Sequence, residues 1–217
     1  MPLNTARSVQ WGNKQRHKNY RLQMLEKILE GKKLILASGS PRRHELLQGL
    51  DFPFEIDTKN SFTEEYPAEM PVEEVPLFLA TGKSHGFHRQ LADNEIIITA
   101  DTMVLCKGRI MGKPHSKEEA TEMLKFLSGC RHTVLTGVCI RSNSKTDRFT
   151  ARTDVYFNEL KAEEIEYYLN RYRPYDKAGS YGVQEWIGYV GINKIEGSYY
   201  NVMGLPVQLV YRSLLNF

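Results

Sequence analysis

"LILASGSPRRHELLQGL", residues 34–50, decides the fold. Its opening residues form a continuous apolar run with no polar alternation, the pattern of a strand covered on both faces of a sheet. "SGSP" then turns the chain, Ser40 stands where a helix cap belongs, and Pro41 suits the first helical position. Arg42 and Arg43 follow, although a helix N-terminus already holds roughly half a positive charge and favours acids. The first N–H groups of a helix have no partner within it and point outward, so a strand, tight turn and helix carrying two arginines form a ready anion site. Both guanidinium groups can add bidentate charge to phosphate oxygens. The competing reading leaves them in solvent beside Glu45.

Outward from this stretch, residues 24–31 read as a short helix closed by Gly31, and "PFEID" as a strand. An acidic loop at 60–71 precedes a predicted helix over 72–92. "EIIITADTMVLCKGRIMGKP" predicts a buried strand ending at Asp101, then a strand pair turning at Lys107 and Gly108. Residues 116–129 carry a capping box from Ser116 to Glu119, helical apolar spacing and a closing Gly129. Two strands at 133–142 and 147–158 make a hairpin, followed by a helix at 161–172, a glycine-bearing loop at 176–184, a strand pair over 188–201 and a closing helix from 205. Strands and helices intermixed with hairpins predict an α/β fold with a mixed sheet and flanking helices. Ligands are expected where "LAS", "TAD" and the 176–184 loop converge on a central cleft.

The bulk numbers exclude several classes. A chain of 217 residues, 41% hydrophobic and 25% charged, is an ordinary globular protein, and no apolar run approaches the roughly 20 residues of a membrane helix. Cys106, Cys130 and Cys139 form no CxxC and leave an odd one over, which suits free thiols in the cytoplasm. Residues 1–23 hold five cations and no acid, so the net charge of +3 becomes −2 for the remainder. A near-neutral body argues against nucleic-acid binding, which needs a basic face. The tail has no apolar segment of a secretory signal and is expected to be disordered, leaving 24–217 as one compact unit.

No GxxxxGK[ST], GxGxxG or HExxH is present, and "MGKPHS" has Pro114 where a P-loop needs Ser or Thr. His85 and His88 have helical spacing on a solvated face, so a zinc site is discounted. Asp101, after the apolar "IIIT", is a candidate site acid. With Glu64, Glu65 and Asp176 it supplies carboxylate oxygen for a hard divalent cation. Lys83, Lys113 and Lys177 add phosphate-binding charge.

"LILASGSPRRHELL", "TADTMV", "GKP", "LSG", "DKAGSYGVQ" and "YYNVMGLPV" together closely resemble the Maf family of nucleoside triphosphate pyrophosphatases, and within it the branch acting on dTTP and UTP. They run in family order from about Lys33 to Phe217. The resemblance implies a two-lobed fold related to inosine triphosphatases. It also implies hydrolysis between the α- and β-phosphates of a nucleoside triphosphate with a divalent cation, Mg2+ or Mn2+, and an assembly that is often a homodimer. By the same resemblance Asp101 accepts the proton, Arg42, Thr102 and Gln184 set specificity, and Ser38, Lys83 and Lys113 line the pocket, with Arg43 on phosphate and Asp101 and Glu65 on metal. One departure bears on Lys83: "ATGKSHG" replaces a more alanine-rich helix, and Gly82 weakens a helix by about 1 kcal/mol relative to alanine. Two alternatives stay open: a nucleotide-binding regulator of septum formation without turnover, and the sister branch acting on a methylated guanine nucleotide. The set Asp101, Lys113 and Gln184 weighs against the first, and "YGVQ" against the second.

Overall fold

The computed structural model describes residues 25–217, so the expected tail at 1–23 lies outside the described residues. Seven strands form one sheet: β1 (Lys33–Leu36), β2 (Phe54–Ile56), β3 (Glu95–Cys106), β4 (Arg109–Met111), β5 (Arg131–Arg141), β6 (Thr146–Phe157) and β7 (Ile192–Glu196). Their order is β2-β1-β3-β5-β6-β7, with β4 also pairing β3. β1 runs parallel to β2 and β3, and the other pairs are antiparallel. This is the mixed α/β sheet the sequence predicts.

After β1 the α-helices among the described residues are α1 (Pro41–Gln48), α2 (Val75–His85), α3 (Lys117–Leu127), α4 (Ala162–Tyr172), α5 (Trp186–Val190), α6 (Tyr199–Met203) and α7 (Val207–Leu214). The continuous apolar runs of β1 and β3 reflect cover on both faces. Leu34, Leu36, Ile96 and Ile98 join the main core, whereas Ile35 and Ile97 pack on the opposite face with Phe87 and Leu91. In α3 the Ser116 hydroxyl accepts from Glu119 N–H at 3.2 Å, and Ala120, Met123, Leu124 and Leu127 turn one apolar stripe inward. Among the described residues no helix is long and apolar enough to cross a membrane.

Three sequence expectations fail locally. β3 does not end at Asp101 but continues to Cys106. The 72–92 helix stops at His85, because Ser61 N–H takes the Gly86 carbonyl at 2.8 Å, an acceptor that further turns would use. The strand pair over 188–201 is instead α5, the single strand β7 and α6, whose start is capped by Ser198 and whose end is Gly204 with φ 114°.

Alternation along β3 divides its two faces between two jobs. Thr99, Asp101 and Met103 share one face, and Ala100, Thr102 and Val104 the other. On the first face lies α2, held by Thr99 Oγ1 donating to Ala80 O at 2.7 Å. Gly137 of β5 pairs with Asp101, and α2 crosses it so closely that a Cβ there would collide with the backbone of Pro76 and Leu77. Gly137→Ala should therefore destabilise the protein by about 1–3 kcal/mol, although alanine ordinarily suits a strand better than glycine. A urea midpoint at or above the wild-type value would mean that α2 does not rest on β5 at this point.

Candidate active site

β1 stops opposite Ile98 and β4 ends opposite Val104, so among the described residues no strand pairs with residues 99–103 of β3 on that side. What ends near Asp101 is β1, not the strand that carries it. A side chain fills the gap. Arg43, in the first turn of α1, donates from Nη1 to Ala100 O at 2.8 Å and Ser38 Oγ at 3.4 Å, from Nη2 to Thr102 Oγ1 at 3.0 Å, and from Nε to Gly204 O at 2.8 Å. Four of the five N–H groups of a guanidinium are thus committed within the protein. Burial pulls its pKa below the ordinary value while Asp101 opposes this, and an arginine so placed stays charged.

Arg43, expected on phosphate, is also a brace between α1, β3 and the Gly204 turn. Thr102, expected at the base, has its hydroxyl among Arg43, Thr136 Oγ1 at 3.0 Å and Gly204 O at 3.3 Å.

Around this brace opens a cleft of about 710 Å³. Ser38, Arg42, Arg43, Lys83, Asp101, Thr102, Lys113 and Gln184 all line it. Glu65 does not; its neighbour Glu64, equally exposed, lines the cleft. Adjacent loop residues face different ways, which the pair "EE" cannot reveal.

Two charge clusters form the walls. Lys83 Nζ lies 2.6 Å from Asp101 Oδ1 and 3.0 Å from Glu64 Oε2, so despite Gly82 it sits beside the candidate acid. Arg42 donates to Asp176 at 2.6 Å, Lys177 bridges Asp176 and Glu185 at 2.8 and 3.0 Å, and the Tyr168 hydroxyl donates to Glu185. Burial pushes the Asp176 carboxyl up, but hydrogen bonds from Lys177 and Arg42 outweigh it and hold it below the ordinary range. Lys113 has no side-chain partner among the described residues.

The cleft lining carries five cations, Arg42, Arg43, Lys83, Lys113 and Lys177, against three carboxylates, a surplus that draws in polyanions. Ser40 caps nothing with its side chain, and its N–H instead donates to Ser38 Oγ at 3.3 Å, so the backbone N–H groups of Arg42 and Arg43 in the first turn of α1 remain for an anion.

The 176–184 loop reaches the opposite wall. The Tyr168 hydroxyl accepts from Gly182 N–H at 3.0 Å, and Tyr181, which lines the cleft, meets His132 Nε2 through its hydroxyl at 2.7 Å. Sequence reasoning missed both anchors, because Tyr168 reads as an ordinary apolar position of α4 and His132 as a lone histidine. The carboxamide oxygen of Gln184 is buried with no hydrogen-bond partner among the described residues. A buried acceptor left unpaired costs about 1–3 kcal/mol, so the position suits a ligand donor.

A divalent cation fits a limited donor set here. Among the described residues no three His, Cys, Asp or Glu side chains converge on a metal position. Asp101 and Glu64 converge on one Lys83 Nζ, and Mg2+ needs only one or two carboxylates when substrate phosphates complete its shell.

The family described as Maf-like protein matches residues 33–217. A dTTP/UTP pyrophosphatase of Porphyromonas gingivalis is 52% identical over 187 residues, which is 85% of this chain and 94% of that protein. Those of Phocaeicola vulgatus and Parabacteroides distasonis are 51% identical over 191 residues and 50% over 194, covering 88% and 89% of this chain and 98% and 100% of their own length.

Burial depresses the His132 pKa to about 4, with Asp154 opposing. Its neutral form is the one the fold accepts, so the folded protein binds fewer protons than the unfolded chain between about pH 6.5 and 4. Stability should fall as pH drops through that window, by on the order of 2–3 kcal/mol between pH 6.5 and 4.5 from this group. His132→Gln should remove that component, a difference read from urea unfolding of both proteins at the two pH values.

Proposed function

Because the chain belongs to the Maf-like family over residues 33–217, we propose that it hydrolyses dTTP and UTP to the nucleoside monophosphate and pyrophosphate. The observation that carries this reading is Asp101, held at 2.6 Å by Lys83 on the floor of a cation-lined cleft, beside an open helix N-terminus. The first turn of α1, Arg42 and Lys113 bind the triphosphate. Asp101 accepts a proton from a water whose oxygen attacks the α-phosphorus. The bond from that phosphorus to the bridging oxygen breaks, and the bridging oxygen leaves with pyrophosphate, whose charge Arg42 and Lys113 offset.

Mg2+ or Mn2+ belongs to the same reading: Asp101 and Glu64 would hold it with phosphate oxygens, and it would neutralise phosphate charge. Arg43 and Thr102 also act on this chemistry indirectly, by fixing β3 and the Gly204 turn.

The unpaired Gln184 oxygen supports the choice of base. Uracil and thymine both offer an N3–H donor, which that oxygen can accept, while the amide N–H groups can donate to O4. Cytosine has no N3–H. A site with committed polar groups rejects a base that leaves them unpaired.

Pyrophosphate release from a panel of canonical and modified nucleoside triphosphates, with Mg2+ and with Mn2+, tests the proposal. dTTP and UTP should lead. No turnover of any nucleotide overturns the enzyme reading, and a leading methylated guanine nucleotide overturns the branch. Asp101→Asn should lower turnover by about 10²–10⁴-fold with a smaller change in nucleotide binding, measured by calorimetry. Gln184→Ala should lower the rate on UTP more than on CTP, and an unchanged UTP-to-CTP ratio would remove Gln184 from base selection.

A further inference from the structure

The connection from β2 to α2 runs from residue 57 to residue 74, and loops this long without regular structure either serve function or remain loose. Its start is tied by Asp57 to His88 at 2.8 Å and its end by Met70 and Val72 packing on Val75 and Leu79, and between them one cluster fastens it to α2. Gly82 and Gly86, four residues apart, fall on one face of α2 and its cap, where neither has a side chain. A Cβ on Gly82 would overlap the ring of Phe62. A Cβ on Gly86 would lie 2.6 Å from Phe62 Cβ and 2.7 Å from Asn60 Oδ1. Asn60 Nδ2 donates to Lys83 O at 2.5 Å, Asn60 Oδ1 accepts from Phe62 N–H at 2.8 Å, and the Ser61 N–H and hydroxyl both donate to Gly86 O, at 2.8 and 3.1 Å. The ring also packs on the small core of Val75, Leu79 and Met103. Two residues beyond Phe62 stands Glu64, an exposed side chain that nonetheless lies 3.0 Å from Lys83 Nζ.

We infer that Phe62, seated in the notch left by Gly82, is a positioning residue that holds Glu64 in the catalytic cleft. The notch explains why this helix carries glycine beside Lys83, where helix propensity favours alanine. The ring and the three hydrogen-bonding groups before it immobilise the loop, so Glu64 reaches the Lys83 ammonium that also holds Asp101 without ordering a free segment at each turnover. The inference rests on the pyrophosphatase reading for its effect on rate, but the seat itself is independent of any activity.

The test has two arms. In the kinetic arm, Phe62→Ala should lower turnover of dTTP by about 10–100-fold, Phe62→Leu should restore most of it, and Gly82→Ala should lower it despite improving helix propensity. Glu64→Gln should lower turnover too, and Phe62→Ala added to Glu64→Gln should cost almost nothing more, because both act through one carboxylate. Losses that multiply, or a Phe62→Ala enzyme with wild-type turnover, overturn the inference. In the second arm, amide hydrogen exchange at Ser61 and Phe62 should accelerate in Gly82→Ala while exchange along β3 stays unchanged. Unchanged exchange at those two amides overturns the seat, whatever the activity. A wild-type protein that cleaves no nucleotide overturns the pyrophosphatase reading and the catalytic role of Phe62, and the exchange result then judges the seat alone.

Discussion

The site depends on one side chain used in place of a strand. β3 has an open edge between β1 and β4, and the Arg43 guanidinium braces it by donating to Ala100 O, Thr102, Ser38 and Gly204 O. An unpaired buried carbonyl is costly, and a charged donor makes a stronger bond than a neutral one, so the edge stays open to ligand without being left unsatisfied. The same contacts set the distance of the first turn of α1 from β3 and fix Gly204 against both. If a strand filled the gap there would be no cleft, and if nothing did, α1 would have no register against the sheet.

Strand alternation then separates binding from chemistry. Thr102 faces the brace and Asp101 faces α2, so two consecutive residues serve different layers of the molecule. Gly137 lets α2 approach β5 behind Asp101, which brings Lys83 within 2.6 Å of the carboxylate. The opposite wall is built from a chain of paired charges ending at Tyr168, which also holds the loop carrying Gln184. Most of the charge in the cleft is already paired before substrate arrives, and Lys113 and the first turn of α1 are its unmatched donors among the described residues. Such a site needs little rearrangement around an incoming polyanion, which is the condition for electrostatic stabilisation at low reorganisation cost.

Much of this is legible in the sequence because local patterns agree with the fold. The double-faced apolar runs of β1 and β3, the Ser116 cap and the Lys107–Gly108 turn each have one physical solution. The misreadings share a cause, which is tertiary geometry overriding a local signal. Asp101 reads as a strand end because the apolar run stops there, yet β5 carries β3 onward to Cys106. Glu64 and Glu65 are equivalent on paper, and only the seat of Phe62 distinguishes them. That Arg43 also braces the sheet is not legible, because nothing local announces the gap that it fills. Short helices such as α5 and α6 carry too few residues for a helical period, so their aromatic residues pass for strand alternation.

β3 is also a single strand of 12 residues whose first half is core and whose middle is active site. Asp101 is thereby welded to the most deeply packed part of the molecule and cannot loosen without the sheet, whereas Glu64 rides on a loop that opens once the Phe62 ring and a few hydrogen bonds let go. Heat should thus dismantle the cleft in stages, losing Glu64 from it while Asp101 is still in register. An intermediate of that kind would recover on cooling, since the part of the site hardest to rebuild would never have come apart.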